Sequence, residues 1–318
     1  MTALIDVHAH FVTDRYIEEA QAAGHVRPDG MPAWPKWSPE AHLALMDRCR
    51  IDRSMLSVSS PGTHFGDTDA ARALTRAVNE YAAEVCLQYP ERFGHFASLP
   101  LPDVPGALAE AAYALDELGA DGLTVESNAH GTYLGDPLFE PVWRFLDARQ
   151  AVVFVHPTSP PHAEDVALGR PRPLMEFLFD SARSACDLVL TGALTRFPGI
   201  RWIFSHSGGV LPVLADRIQL FADLLPHMVR SVDGRPPASV RDQLANLWFD
   251  IAGTPFPRQV PALVEMVGSR RLLYGSDFCW TPHEAVLSQV ASIDAAVQPE
   301  GETWRALTTQ NAQRLLGR

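Results

Sequence analysis

LIDVHAH, residues 4–10, reads as a β-strand that carries two histidines at its end. Leu4, Ile5 and Val7 form a short β-rich apolar run, and alternate residues of a strand project to the same side. His8 and His10 therefore face one way together. Outward from this segment the pattern recurs. A short apolar run ends in a metal-capable side chain at His156 in VVFVHP, at His206 in IFSHSGG and at Asp277 in LLYGSDF. Histidine and carboxylate are good ligands for zinc and similar divalent ions. One histidine at a strand end is more often a hydrogen-bonded core or loop residue. Four of them with an aspartate, at the ends of the first, fifth, sixth and eighth strands, read as a metal site and make an enzyme the leading expectation.

The eight candidate strands fall at 4–8, 55–59, 94–99, 122–126, 152–156, 201–206, 247–251 and 272–276. Helical patterns separate them at 68–89, 104–118, 138–149, 174–196, 210–225, 258–267 and 284–297, with a last helix near 302–316. Eight strands alternating with helices predict an α/β fold, a (β/α)8 TIM-type barrel occupying residues 1–318 as one domain. An open doubly wound sheet would scatter the histidines along an edge. A barrel gathers them at its C-terminal mouth, where such folds keep their sites. Two proline-rich insertions, 11–40 and 157–173, follow C-terminal strand ends and are expected to sit over that mouth as lids or substrate walls.

Composition narrows the function classes. The net charge of −12 argues against a nucleic-acid or membrane-surface role, since both need a basic face. No apolar stretch approaches the roughly 20 residues that span a bilayer. The first residues show no basic or cleavable apolar segment, so the cytoplasm is the expected compartment. The four cysteines are far apart without a CxxC pair and read as reduced thiols, with Cys279 a candidate pocket residue.

The chain resembles the amidohydrolase superfamily, in the branch that contains aminocarboxymuconate-semialdehyde decarboxylase and related aromatic-acid decarboxylases. The matching segments are DVHAHF, YPERFGHFASLPL, GDPLFEPVW, VFVHP, FPGIRWIFSHSGGVLPVLADRI, YGSDF and NAQRLLG, spread from end to end. PKWSPE, SPGTHFGD and ESNAHGTYLGDP are most similar to members likened to 6-methylsalicylate decarboxylase. The resemblance implies one divalent ion, usually zinc with manganese as the second choice, held by His8, His10, His156 and Asp277, and no organic cofactor. It implies that His206 is an acid/base group beside the ion. Two-metal hydrolases of the superfamily bridge their ions with a carboxylated lysine at the end of strand 4. Here that strand ends in Glu126-Ser127-Asn128 and the only lysine is Lys36, so Glu126 is the one candidate bridge.

The activity so implied is decarboxylation of a small aromatic 2-hydroxybenzoate, of the 6-methylsalicylate kind, or of an unsaturated carboxylic acid. The ion would orient the substrate while Asp277 and His206 handle protons. Hydrolysis of a lactone, ester or amide by one metal is the alternative, and a binding protein with a non-catalytic metal the third reading. In the resembling decarboxylase an arginine at the place of Arg217 reaches a neighbouring subunit's substrate, which implies a homodimer. Its other carboxylate-binding arginine falls where this chain has Arg27-Pro28-Asp29-Gly30, and that departure favours a monocarboxylate. Phe11, Trp34, Trp37, Phe278 and Trp280 are candidate ring walls. Asn128, His130 and Tyr133 are candidates to hydrogen-bond a ring hydroxyl.

Overall fold

In the computed structural model, which describes residues 2–229, 232, 234 and 238–317, the chain alternates strand and helix throughout. In order these are β1 (Leu4–His10), α1 (Asp14–Ala22), α2 (Pro39–Cys49), β2 (Ile51–Ser57), α3 (Thr68–Gln88), β3 (Phe93–Ser98), α4 (Val104–Asp116) and β4 (Gly122–Glu126). A two-stranded hairpin follows, β5 (Asn128–Ala129) and β6 (Thr132–Tyr133), then α5 (Glu140–Ala148), β7 (Val152–His156), α6 (Ala163–Val166), α7 (Glu176–Leu190), α8 (Ala193–Arg196) and β8 (Arg201–Phe204). The last part holds α9 (Leu211–Leu224), α10 (Val240–Leu244), β9 (Trp248–Asp250), α11 (Val260–Val267), β10 (Leu272–Leu273), α12 (His283–Ala295) and α13 (Trp304–Leu316).

Eight of the strands pair in parallel in the order β1-β2-β3-β4-β7-β8-β9-β10. Parallel bridges from Asp6 to Tyr274 and from Ala9 to Phe278 bring the last strand back to the first. The Val7 N–H donates to the Tyr274 carbonyl at 2.9 Å, and the Asp277 N–H to the His8 carbonyl at 2.8 Å. The expected TIM-type barrel is therefore present and closed. Inside it, Val7, Met55, Phe96, Phe154, Ile203 and Leu273 form an apolar plug, to which α13 adds Ala312 and Leu315. Asn311 on α13 donates to the Leu272 carbonyl at 2.8 Å, fixing that helix under the barrel. The larger apolar layer lies between the strands and the surrounding helices.

Local chemistry explains the helix boundaries. Ser38 accepts from the Ala41 N–H at 3.2 Å, and Pro39 opens α2 at the first helical position, where its missing N–H costs nothing. Asp67 caps α3 through the Ala70 N–H at 2.8 Å. Besides α2, α10 and the β5–β6 hairpin, which no expected element covered, three features differ from the sequence expectation. The insertion at 11–40 is not all loop: Thr13 caps the Tyr16 N–H and starts α1 within it. The helix expected over 174–196 is two, because Gly192 at φ 78° ends the run before α8. The strand expected over 201–206 stops at Phe204, and His206 lies in a turn beyond it. Among the described residues no helix is long and apolar enough to cross a membrane.

Candidate metal centre

The C-terminal ends of the barrel strands deliver the site. On β1, His8 and His10 share one face and are wholly buried. His156 is the last residue of β7, Asp250 the last of β9, and Asp277 follows β10. His8, His10, His156 and Asp277 each offer one ligand atom, and these four atoms lie within 4.8 Å of one another. Asp277 Oδ1 is 3.4 Å from both His8 Nε2 and His10 Nε2, and those two nitrogens are 2.9 Å apart. His206 stands at the edge of the cluster, with Nε2 3.4 Å from Asp277 Oδ2.

The two rings of β1 are held from behind. His8 Nδ1 meets Asp250 Oδ2 at 2.9 Å, which leaves Nε2 for the cluster. His10 Nδ1 faces the Ser57 hydroxyl at 3.1 Å and the Ser57 carbonyl at 3.3 Å, which again leaves Nε2. Asp250 uses its other oxygen to accept the His206 N–H at 3.1 Å and the Ala252 N–H at 2.9 Å. Gln259 donates to the His206 carbonyl at 2.7 Å. His206 (φ 51°), Ser207 (φ 56°) and Asp277 (φ 57°) adopt the left-handed backbone region that L-residues seldom occupy. Such conformations concentrate at functional sites and persist where surrounding bonds fix them.

Charge and burial are in tension here. Burial opposes a charge on His8, but the Asp250 and Asp277 carboxylates outweigh it and raise the imidazole to about 10. The same attraction works on Asp277: against burial, His8 and hydrogen bonds from His10 and His206 hold its carboxyl well below the usual range. Burial, with His10 and His8 as neighbours, pushes His156 well below an ordinary histidine. Burial, reinforced by Asp29, pushes Glu126 well above an ordinary carboxyl. Neutral imidazole and ionised carboxylate are the forms that bind a cation. Three imidazole nitrogens and one carboxylate oxygen form a donor set that suits a zinc- or manganese-type divalent ion, with bonds of about 2.0–2.3 Å. Three ring nitrogens and a carboxylate oxygen crowded within 4.8 Å of one another are what such an ion resolves.

A cavity of about 460 Å³ opens onto this cluster through His156, His206 and Asp277. Its other walls are largely apolar: Met31, Leu174, Phe177, Leu178, Ala252 and Trp280. Trp280 is fixed by its indole N–H, which donates to the Ser59 hydroxyl at 2.6 Å. Both insertions contribute, the first through Pro28, Asp29 and Met31 and the second through Pro173. A second cavity of about 850 Å³ lies beside the first and is lined by Glu126, Asn128 and His130. Asp29 touches both.

The other sequence candidates fall as follows. Asn128 donates to buried Asp180 at 2.8 Å and His130 faces the His64 carbonyl at 3.0 Å, so both serve the neighbouring cavity wall. Tyr133 also binds Asp180, at 2.5 Å. Phe11 is buried against Trp37 and Tyr81, and Phe278 against His42 and His283; neither these nor Trp37 lines either cavity. Trp34 packs edge-on to Tyr16 and beside Trp280, one layer behind the wall. Arg217 is exposed on α9, its guanidinium 5.3 Å from the Phe221 ring centre. Asp250 and Ser57 were not among the candidates. An aspartate closing the apolar run LWFD is the signal that marks the first, and nothing in the sequence singles out the second.

Similarity to known proteins agrees with this geometry. The amidohydrolase family (Amidohydro_2) matches residues 5–318. The chain is 35% identical over 322 residues to 6-methylsalicylic acid decarboxylase of Penicillium expansum, an alignment covering 99% of this chain and 97% of that protein. A crystal structure of an amidohydrolase II matches with a TM-score of 0.91 at 33% identity, covering 99% of this chain and 100% of the other. The fold is also that of a dihydroxybenzoic acid decarboxylase from Polaromonas sp. JS666, solved with manganese and the inhibitor 2-nitroresorcinol. That match has a TM-score of 0.83 at 22% identity, over 100% of this chain and 97% of the other.

Proposed function

The chain belongs to the amidohydrolase family, and from that premise we propose that it is a metal-dependent, non-oxidative decarboxylase of a small aromatic monocarboxylic acid. The substrate class is a 2-hydroxybenzoate with an apolar ring substituent, as in 6-methylsalicylate. The observation that carries this reading is the cavity lining. One end holds the His8/His10/His156/Asp277 cluster, the remainder is mostly apolar, and no arginine or lysine lines it among the described residues. A single carboxylate finds its counter-charge at the cluster, whereas a second would be left unpaired in an apolar wall. Similarity to a 6-methylsalicylic acid decarboxylase along nearly the whole chain supports the same class.

His8, His10, His156 and Asp277 would hold the ion, with zinc the first choice on ligand type and manganese the second. When bound, the ion supplies a Lewis acid that neutralises and orients the oxygen atoms of the acid. The protein's own groups do the rest. Trp280, Phe177, Met31 and Leu178 flank the ring and exclude water. The His206–Asp277 pair delivers a proton to the ring carbon that carries the carboxylate, forming a C–H bond and breaking aromaticity. The C–C bond to the carboxylate then breaks, its electron pair restores the aromatic ring, and CO2 leaves. The pair is reprotonated from solvent. Imidazole suits this task because its ordinary pKa lies near neutrality.

The same reading takes the protein to be a homodimer. Val213, Arg217, Leu220 and Leu224 recur at helical spacing on α9, and the three apolar members are 80%, 52% and 69% exposed.

Incubating metal-loaded protein with 6-methylsalicylate, 2,6-dihydroxybenzoate and a lactone panel tests the proposal. CO2 with 3-methylphenol is expected from the first acid. Lactone turnover without CO2 from any acid would overturn the reading.

A further inference from the structure

Among the three histidines of the cluster, His156 alone has no hydrogen-bonded partner behind its ring. His8 is backed by Asp250 at 2.9 Å and His10 by Ser57 at 3.1 Å. His156 Nδ1 is buried and makes no hydrogen bond, and the nearest carboxylate oxygen to it, Glu126 Oε2 at 3.6 Å, is also buried and also unpartnered. Two orphaned polar atoms of complementary chemistry thus face each other in the interior, where leaving either unpaired is costly.

The backbone fixes this pairing. Glu126 and His156 are register partners on the adjacent parallel strands β4 and β7, and the Ser127 N–H donates to the His156 carbonyl at 2.7 Å. On the far side Gly62, at φ 74°, lies so close that an added Cβ would sit 3.2 Å from Glu126 Cγ. A side chain at that position would be strained by φ and would press on the glutamate. The glutamate is therefore pinned between Gly62 and His156.

We propose that Glu126 is the positioning residue of His156: it accepts the Nδ1 proton and thereby presents Nε2 to the ion. The inference rests on the reading of His156 as a ligand. A neutral imidazole carries one N–H, and the nitrogen that binds a cation must be bare. The proton then belongs on the other nitrogen, which is the one facing Glu126. This pairing completes a pattern in which each ligand imidazole is held by its own acceptor, and such outer partners fix ring orientation and raise ligand basicity. It also assigns Glu126 a role other than bridging a second ion.

The experiment is titration of metal-free wild-type protein and of Glu126→Ala and Glu126→Gln with Zn²⁺ and Mn²⁺, followed calorimetrically. One ion per chain is expected in all three. Affinity should fall about 10- to 100-fold in Glu126→Ala. It should fall less in Glu126→Gln, whose amide oxygen still accepts from Nδ1. Wild-type affinity in Glu126→Ala overturns the proposal, as does a wild type that takes two ions where the variant takes one. Should the variants not fold, ¹⁵N NMR of histidine-labelled, metal-loaded wild-type protein decides: a protonated Nδ1 on His156 supports the pairing and a bare Nδ1 overturns it. Wild-type affinity with His156→Ala would instead remove the reading of His156 as a ligand, so the two failures are distinguishable.

Discussion

His8 Nδ1 and Asp250 Oδ2 meet at 2.9 Å with both side chains fully buried, 242 residues apart in the chain. Asp250 also takes the His206 and Ala252 N–H groups, so one carboxylate orients a metal-capable ring and anchors the turn that carries the acid/base candidate. In Asp250→Asn one amide must replace both functions. Metal affinity is expected to drop about 10- to 100-fold. kcat should fall as well, even with metal in excess, because the His206 turn loses its charged acceptor. Calorimetric metal titration beside saturating-metal kinetics separates the two losses; unchanged affinity and rate would show that Asp250 only fills space.

His8→Ala and His206→Asn should fail in different ways. His8 lies inside the donor cluster, whereas His206 reaches it only through Asp277 at 3.4 Å. The first variant is expected to purify without its ion. The second is expected to keep the ion and lose about 10²- to 10⁴-fold in kcat, the usual share of a general acid/base. Metal analysis and CO2 release on the same preparations check this. Loss of the ion in His206→Asn would move His206 into the donor set.

The barrel was legible because residue type and spacing carry it: alternating strand and helix patterns, and strand ends bearing histidine. The donor cluster was legible for the same reason, with His8 and His10 separated by the strand period. That period also explains where the aromatic candidates went. Phe11 follows His10 and so turns away from the mouth into the helix layer, where it finds Tyr81; Phe278, beyond the left-handed Asp277, packs against His42. Trp280, three residues beyond Asp277 in the loop before α12, does return to the cavity. α1 was hidden because its nine residues lie in a proline-rich stretch and only the Thr13 cap marks its start. The β5–β6 hairpin was hidden because two-residue strands have no period to read. Asp250 required the fold itself, since nothing local ties it to His8.

Acid should destabilise the fold through a histidine that plays no part in catalysis. His42 is buried, accepts the Trp37 indole N–H at 3.1 Å, and packs edge-on to Phe93 and Phe278. Burial, then the nearby His10, lowers it from 6.5 to about 3 in the folded state. The unfolded chain therefore takes up a proton near pH 6.5 that the folded chain refuses. The stabilisation is complete above that pH and is lost as the pH falls toward about 3, at a rate of up to about 1.4 kcal/mol per pH unit. His95, lowered to about 4 by burial, adds a contribution of the same sign. Thermal unfolding from pH 7.5 to 4.5, compared with His42→Gln, measures it. The variant's Tm should depend less steeply on pH; equal slopes would place the acid sensitivity elsewhere.

Substrate charge should be discriminated by the apolar wall. Leu174 and Leu178 line the cavity from the start of the α7 region, and the lining provides no arginine or lysine among the described residues. A 2-hydroxybenzoate bearing a methyl group meets favourable burial there, about 0.8 kcal/mol for one carbon. One bearing a second carboxylate must leave a charge without a partner, which costs several kcal/mol. The ratio of kcat/KM for the methyl over the carboxylate analogue is therefore expected to exceed about 100. Leu174→Arg places a guanidinium at the rim, where Leu174 is 62% exposed and the longer side chain has room. That variant should compress the ratio by about tenfold, mainly by improving KM for the dicarboxylate, with kcat for the methyl analogue nearly unchanged. A ratio near one in the wild type would mean that the second charge is met by a group outside this wall, with Arg217 of a second copy the first to be tested by Arg217→Ala.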